Sequence, residues 1–161
     1  MNDTTTNKKE KFGKAIKEYF DSLKKDVYNK FFTQNSANIK VDKFSEKFKD
    51  WSKDFCEFIE KEHKRCNSMS TSKSCLKKIL DGCNKSIKKF DQFRSSSEDD
   101  KLEQIPKAIK FLREPIEKTS KKKFPSSSRF SDKVAKKNLE EIRDMLFAME
   151  CEFKNLYGSK K

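Results

Sequence analysis

The sequence predicts an all-α protein, an antiparallel bundle of four long amphipathic helices with one short additional helical segment. Only three Gly and three Pro occur in 161 residues, so the turn residues on which a β protein depends are scarce. Apolar residues recur every three or four positions over long stretches, which places them on one face of a helix. Fifteen Phe supply apolar area for a core, although 40% of the residues are charged.

The first two predicted helices cover about residues 8 to 33 and 39 to 67, on either side of the polar stretch TQNSAN. The apolar stripe of the first contains Phe12, Ile16, Tyr19, Phe20, Leu23, Val27 and Phe31. The stripe of the second contains Val41, Phe44, Phe48, Trp51, Phe55, Phe58, Ile59 and Cys66. Lys, Asp and Glu fill the outward positions of both, as expected for helices with one buried face.

A third helix begins after the Ser- and Thr-rich stretch NSMSTSKS, whose side chains suit an N-cap, and extends to about Phe93. Its apolar stripe contains Leu76, Leu80, Cys83, Ile87 and Phe90. Gly82 is its weak point, because Gly in a helix interior costs about 1 kcal/mol relative to Ala.

The short additional segment carries the apolar residues between Leu102 and Ile116, and Pro106 and Pro115 interrupt it. Proline inside a helix removes a hydrogen bond, so we expect one short helix, or two, with a kink. Residues 119–130 are predicted to form the one long loop.

The last helix is predicted to begin at an N-cap provided by Ser131 or Asp132. Gly158 is expected to end it as a C-cap. Its apolar stripe contains Val134, Leu139, Ile142, Leu146, Met149, Phe153 and Leu156.

The chain length fits a single domain over 1–161, and the polar ends 1–7 and 158–161 are expected to be disordered tails. No apolar stretch is long enough to span a membrane, and the start MNDTTTNKKEKF lacks the apolar region of a secretory signal. These features favour an intracellular location, or an oxidising compartment if the cysteines are bridged. The oligomeric state is left open, since an apolar stripe can pair between chains as well as within one.

The net charge of +13 is concentrated in two places. Residues 71–97 carry seven basic and two acidic side chains, and residues 119–133 carry five and one. In the third helix Lys78, Lys85 and Lys89 share one side at helical spacing. The candidate binding surface therefore consists of Lys77, Lys78, Lys85, Lys88, Lys89, Lys121, Lys122, Lys123 and Arg129.

Two classes of partner fit such a surface: an acidic protein, or a polyanion such as nucleic acid or an anionic membrane. Only five of the 39 basic residues are Arg, which argues against sequence-specific reading of DNA. The Phe residues lie on the predicted buried stripes, so they are not expected to stack on bases. The alternative to a binding surface is an ordinary solvated lysine face.

The sequence offers no catalytic, cofactor or metal site. Its three Gly are isolated, so it lacks a phosphate-binding loop, and the acidic residues alternate with Lys on outward positions. His63 and Cys66 stand three residues apart with Cys75 beyond them, but a fourth zinc ligand and the paired Cys-x2-Cys motif are missing. We therefore predict an interaction or scaffold protein without an enzymatic activity, a cofactor or a small-molecule substrate.

The five cysteines permit a further hypothesis. If the second and third helices form an antiparallel hairpin, Cys66 and Cys75 flank the turn, while Cys56 and Cys83 lie at comparable depths along the two helices. Disulfides Cys56–Cys83 and Cys66–Cys75 are then geometrically feasible, and the chain would be a stapled structural subunit or a secreted effector. Free, buried thiols are the alternative.

Overall fold

The computed structural model describes residues 2–32, 39–66, 71–126 and 128–160, and this part of the chain is all α, as predicted. In chain order its elements are α1 (Asn2–Ser22), a π-helical segment (Leu23–Tyr28), α2 (Asn29–Phe32), α3 (Val41–Arg65), α4 (Thr71–Gln92), α5 (Glu98–Lys121), a 3-10 turn (Arg129–Ser131) and α6 (Lys133–Lys160). Within these ranges no helix combines the length and the apolar character needed to cross a bilayer.

The helices form a closed ring in which each long helix runs antiparallel to the next. In the α3–α4 pair, for example, the Phe48 ring packs against Phe90 near the start of α3, and Cys56 contacts Asn84 further along it. A ring with an odd number of alternating helices must contain one parallel pair. That pair is α1 and α6, because Gly13 lies against the start of α6 and Phe32 packs against Phe153 further along it.

The predicted short, kinked segment is instead one continuous helix, α5, so the bundle has five long helices. Pro106 and Pro115 both lie inside it, and each removes a backbone hydrogen bond at a cost of about 3 kcal/mol in a helix interior. Fully buried side chains, among them Ile105, Ile109 and Leu112, offset this cost by packing into the core. The predicted cap at the start of this segment is present, since the Asp100 N–H donates to Ser97 Oγ over 3.2 Å.

Other predicted boundaries differ in detail. The first helix begins at Asn2 rather than near residue 8. The predicted loop 119–130 is shorter, because α5 continues to Lys121 and residues 129–131 form the 3-10 turn. Asp132 is the N-cap of α6, as predicted, and its Oδ2 accepts from the Ala135 N–H over 3.1 Å. The predicted C-cap at Gly158 is wrong, because α6 continues through it to Lys160.

The π-helical segment was not predicted, since its apolar spacing resembles that of an ordinary helix. The Asn29 N–H bonds the Lys24 carbonyl, five residues back instead of four. Trp51 of α3 binds the last part of α1 just before this segment, because its indole Nε1–H donates to the Tyr19 carbonyl over 3.0 Å.

Aromatic side chains form much of the single core. Phe44 is fully buried, and its ring contacts those of Phe31, Phe32, Phe48 and Phe153 at centroid distances between 4.7 and 5.8 Å. Each buried ring excludes a large apolar area from water. A chain with 40% charged residues thereby acquires an extensive core.

Candidate functional site

The α4 lysines lie on the solvent face of their helix. Lys77, Lys78, Lys85 and Lys88 are exposed and Lys89 is partly exposed. The opposite face is buried and consists of Ser72, Cys75, Leu76, Ile79, Gly82, Cys83, Ser86 and Phe90. Gly82 is buried with Lys78 one turn before it and Lys85 one turn after it, so both lysines flank the line along which α4 meets α5.

The loop lysines lie beside α4. Because α4 and α5 are antiparallel, the end of α5 reaches the first turns of α4, where Lys122 Nζ is 3.9 Å from Cys75 Sγ. Lys121 and Lys123, on either side of Lys122, are exposed. The two stretches in which the charge excess is concentrated therefore meet in one area. We call Lys77, Lys78, Lys85, Lys88, Lys89, Lys121, Lys122 and Lys123 the basic surface.

Arg129, which the sequence grouped with these lysines, has a different place. Its side chain is only 15% exposed and pairs with the 9% exposed side chain of Glu62, with 2.8 Å between Nη1 and Oε2. The same nitrogen donates to the Glu62 carbonyl over 3.4 Å. Arg129 thus holds the 3-10 turn against the end of α3, and we exclude it from the basic surface.

One apolar side chain at the basic surface was missed by sequence reasoning. Phe111 of α5 is 41% exposed, and its carbonyl oxygen lies directly over Gly82 of α4. Phe111 lies within the segment that was predicted to be kinked, so the sequence did not predict whether its side chain is buried or exposed. The position of Gly82 between Lys78 and Lys85 was the available signal, since a glycine in a helix interior often marks a close backbone approach.

A cavity of about 740 Å³ opens between the π-helical segment and α3, and sequence reasoning missed it as well. Its lining includes four carboxylates and three lysines, namely Glu18, Asp26, Asp50, Asp54, Lys25, Lys30 and Lys47. The lining thus carries charges of both signs in nearly equal number, so neither anions nor cations are strongly favoured. The cavity is for this reason a weaker candidate than the basic surface, where one sign prevails.

The structure brings together one of the two predicted cysteine pairs. All five cysteines are free thiols, and Cys56 and Cys83 are hydrogen-bonding neighbours across the α3–α4 contact. Cys66 lies 3.5 Å from Arg129 Nη1, whereas Cys75 faces Lys122. In the described ranges no three side chains of His, Cys, Asp or Glu are grouped as a metal would require, and His63 therefore has no ligand set around it.

No protein-family model, no curated protein and no solved structure matches this chain.

Proposed function

We propose that this chain is a non-catalytic helical interaction protein whose basic surface binds an acidic segment of another protein. The observation that carries the proposal is the contact between Lys122 and Cys75, because it unites two basic stretches that are more than 40 residues apart in the sequence. A single area then presents eight ammonium groups on a rigid helical frame. Concentrated charge of one sign attracts and orients an oppositely charged partner.

Most of this charge is not neutralised by ion pairs among the residues that the structure describes. Lys77 pairs with Asp81 and Lys121 pairs with Glu117, at 3.2 and 3.3 Å. The ion pairs of the described residues include none with the other six lysines of the basic surface. Exposed pairs such as Lys77–Asp81 contribute little to stability, so the surface is not explained as an internal ion-pair network.

A protein partner is favoured over nucleic acid by the chemistry of the surface. With Arg129 committed to Glu62, every cation that remains is a lysine, which presents a point charge without the planar fork that reads base edges. Phe111 adds an exposed apolar side chain on α5, at the point where its backbone crosses Gly82 between Lys78 and Lys85. A segment in which acidic and apolar residues alternate can use both features at once.

The test is a binding titration by fluorescence anisotropy with three probes: a labelled acidic peptide that contains Leu, duplex DNA, and vesicles of anionic lipid. We expect the peptide to bind most tightly at low salt and to lose affinity steeply towards ~0.15 M salt. A variant with Lys78, Lys85, Lys88 and Lys123 changed to Gln should bind the peptide about tenfold more weakly, a loss of about 1.4 kcal/mol.

The matched control changes Lys24, Lys25, Lys43 and Lys47 to Gln, which removes the same charge from exposed positions elsewhere. Its affinity for the peptide should change by less than about twofold, because these lysines belong to the π-helical segment and to α3 and not to the basic surface on α4 and at the end of α5. The proposal is wrong if both variants lose affinity equally, or if the peptide does not bind at low salt. Tighter binding of DNA or of vesicles would establish the polyanion alternative instead.

A further inference from the structure

Two thiols meet at the centre of the α3–α4 contact. Cys83 Sγ donates to the Ser52 carbonyl of α3 over 3.1 Å, and Cys56 Sγ donates to Asn84 Oδ1 of α4 over 3.3 Å. Each thiol is thus hydrogen-bonded to the opposite helix, Cys56 to the residue that follows Cys83 and Cys83 to the residue one turn before Cys56. These reciprocal contacts make the two cysteines neighbours across the α3–α4 contact, as a disulfide between the helices requires.

The two thiols differ in access to solvent. Cys83 is fully buried, whereas Cys56 is only partly buried at the edge of the contact. When the Cys83 thiol turns from the Ser52 carbonyl to the Cys56 sulfur, its hydrogen bond lowers the pKa of Cys56, because it stabilises the Cys56 thiolate. The same hydrogen bond, together with burial, raises the pKa of Cys83. Cys56 is therefore both the more accessible thiol and the one with more thiolate at neutral pH.

Two buried hydroxyl groups that lack a hydrogen-bond partner among the described residues lie near the pair. The hydroxyl oxygens of Ser52 and Ser86 are buried and have no hydrogen-bond partner in the described part of the chain. Ser52 lies one helical turn before Cys56, and Ser86 lies one turn after Cys83. A buried hydroxyl without a partner is costly, and here two of them border the thiols.

We infer that Cys56 and Cys83 form an oxidisable site that closes to a disulfide between α3 and α4, with Cys56 reacting first. With hydrogen peroxide as the oxidant, the Cys56 thiolate sulfur attacks one peroxide oxygen, the O–O bond breaks and hydroxide leaves, so that Cys56 becomes a sulfenic acid. The Cys83 sulfur then attacks the Cys56 sulfur. The S–O bond breaks, and the oxygen leaves as water with the Cys83 proton.

The other thiols serve as internal references. Cys66 is also partly buried, but burial raises its pKa although Arg129 works in the opposite direction. Cys75 is buried and faces Lys122. Cys151 lies on α6, away from the α3–α4 contact. Of these five thiols, only Cys56 combines access to solvent with a neighbouring thiol.

The experiment treats the full chain with increasing hydrogen peroxide and maps the products by mass spectrometry after non-reducing digestion. We expect the Cys56–Cys83 peptide pair to appear first, with the loss of two hydrogens. In Cys83→Ser the reaction should stop at the Cys56 sulfenic acid, which dimedone traps. In Cys56→Ser no linked pair that contains Cys83 should form, whereas Cys66→Ser should behave as the unaltered chain does.

Alkylation provides a second readout that does not depend on the disulfide. In the reduced chain at pH ~7, iodoacetamide should modify Cys56 about tenfold faster than Cys66, and the pH profile of the Cys56 rate should level off at a lower pH than that of Cys66, because the pKa of Cys56 is lowered and that of Cys66 is raised. The inference is overturned if Cys66 and Cys75 become linked at the same peroxide concentration as Cys56 and Cys83. It is equally overturned if Cys56 is neither linked nor trapped.

Discussion

Two interfaces of the ring keep their helices apart by opposite means. Between α1 and α3, aromatic rings fill the space: Tyr19 packs edge-on against Phe55 at 5.4 Å, and Phe12 stacks on Phe58 at 5.7 Å. Between α4 and α5 almost nothing intervenes, because a Cβ placed on Gly82 would lie 2.3 Å from the Phe111 carbonyl oxygen. Helix spacing in this bundle is thus set locally, by whichever side chain or bare backbone stands at each crossing.

The close crossing also explains how Pro115 fits inside α5. Proline lacks an N–H, so the carbonyl four residues earlier, that of Phe111, has no donor within its own helix. This is the oxygen that faces Gly82, where it meets the Cα–H groups of α4 and not a side chain. A proline that looks disruptive in the sequence and a glycine that looks like a weak point therefore form one packing arrangement.

Removing a buried ring should have the largest effect, and Phe44 is the α3 ring on which Phe31 and Phe32 of α2 pack. Phe44 is fully buried among four other rings, so Phe44→Ala should lower the free energy of unfolding by about 3–5 kcal/mol through lost burial and the cavity left behind. Urea denaturation followed by circular dichroism measures the change. Phe147→Ala is the control, since Phe147 is 52% exposed and packs mainly under Arg113. If the two variants were equally destabilised, the rings would not be what holds α1–α2 to α3.

Adding one methyl group at the close α4–α5 crossing should have the second largest effect. Gly82→Ala places a Cβ against a backbone oxygen and against Pro115 Cγ at 2.8 Å, neither of which can move without shifting a helix. We expect a loss of about 2 kcal/mol in the free energy of unfolding, despite a gain of about 1 kcal/mol in helix propensity. The same urea titration gives the value. An unchanged or increased stability would show that α4 and α5 are farther apart than described.

The smallest effects distinguish the remaining glycines. A Cβ on Gly13 would lie 2.2 Å from Asp132 Oδ2, so Gly13→Ala should displace this N-cap carboxylate, and the loss of up to about 2 kcal/mol should exceed the gain of about 1 kcal/mol in helix propensity. A Cβ on Gly158 meets nothing within 4 Å, so Gly158→Ala should stabilise the chain by up to about 1 kcal/mol. Opposite signs in thermal unfolding midpoints would support this assignment, whereas equal signs would contradict it.

The sequence correctly predicted which helix positions are buried or exposed where this depends on the spacing of apolar residues. The stripes containing Phe44, Trp51 and Phe55 were placed in the core correctly, because a spacing of three or four residues has one structural meaning when it repeats. The exposed positions of Lys78 and Lys85 follow from the same spacing. The predictions that failed concern residues whose surroundings are set by contacts between elements that are distant in the sequence.

Arg129 and Pro115 illustrate that failure. Nothing near Arg129 in the sequence indicates Glu62 as its partner, and nothing near Pro115 indicates that its helix is secured by tertiary packing. Local rules rank such residues by their average behaviour, whereas packing decides the individual case. The contact of Lys122 with Cys75 near the start of α4 also joins residues that are distant in the sequence, and it follows from the antiparallel packing of α4 and α5.

The π-helical segment Leu23–Tyr28 changes the direction in which the side chains after it point. A turn that is one residue wider acts like an insertion absorbed inside a helix, and it rotates everything after it by about 100° relative to an unbroken α-helix. That rotation orients Phe32 towards Phe44 and Phe153, and it lets Phe31 reach Phe44 as well. Deleting a single residue here would restore a regular helix and leave both rings in register, whereas a regular α-helix over the unchanged sequence would turn them away from Phe44, so the irregularity itself determines how the first helical arm closes the ring.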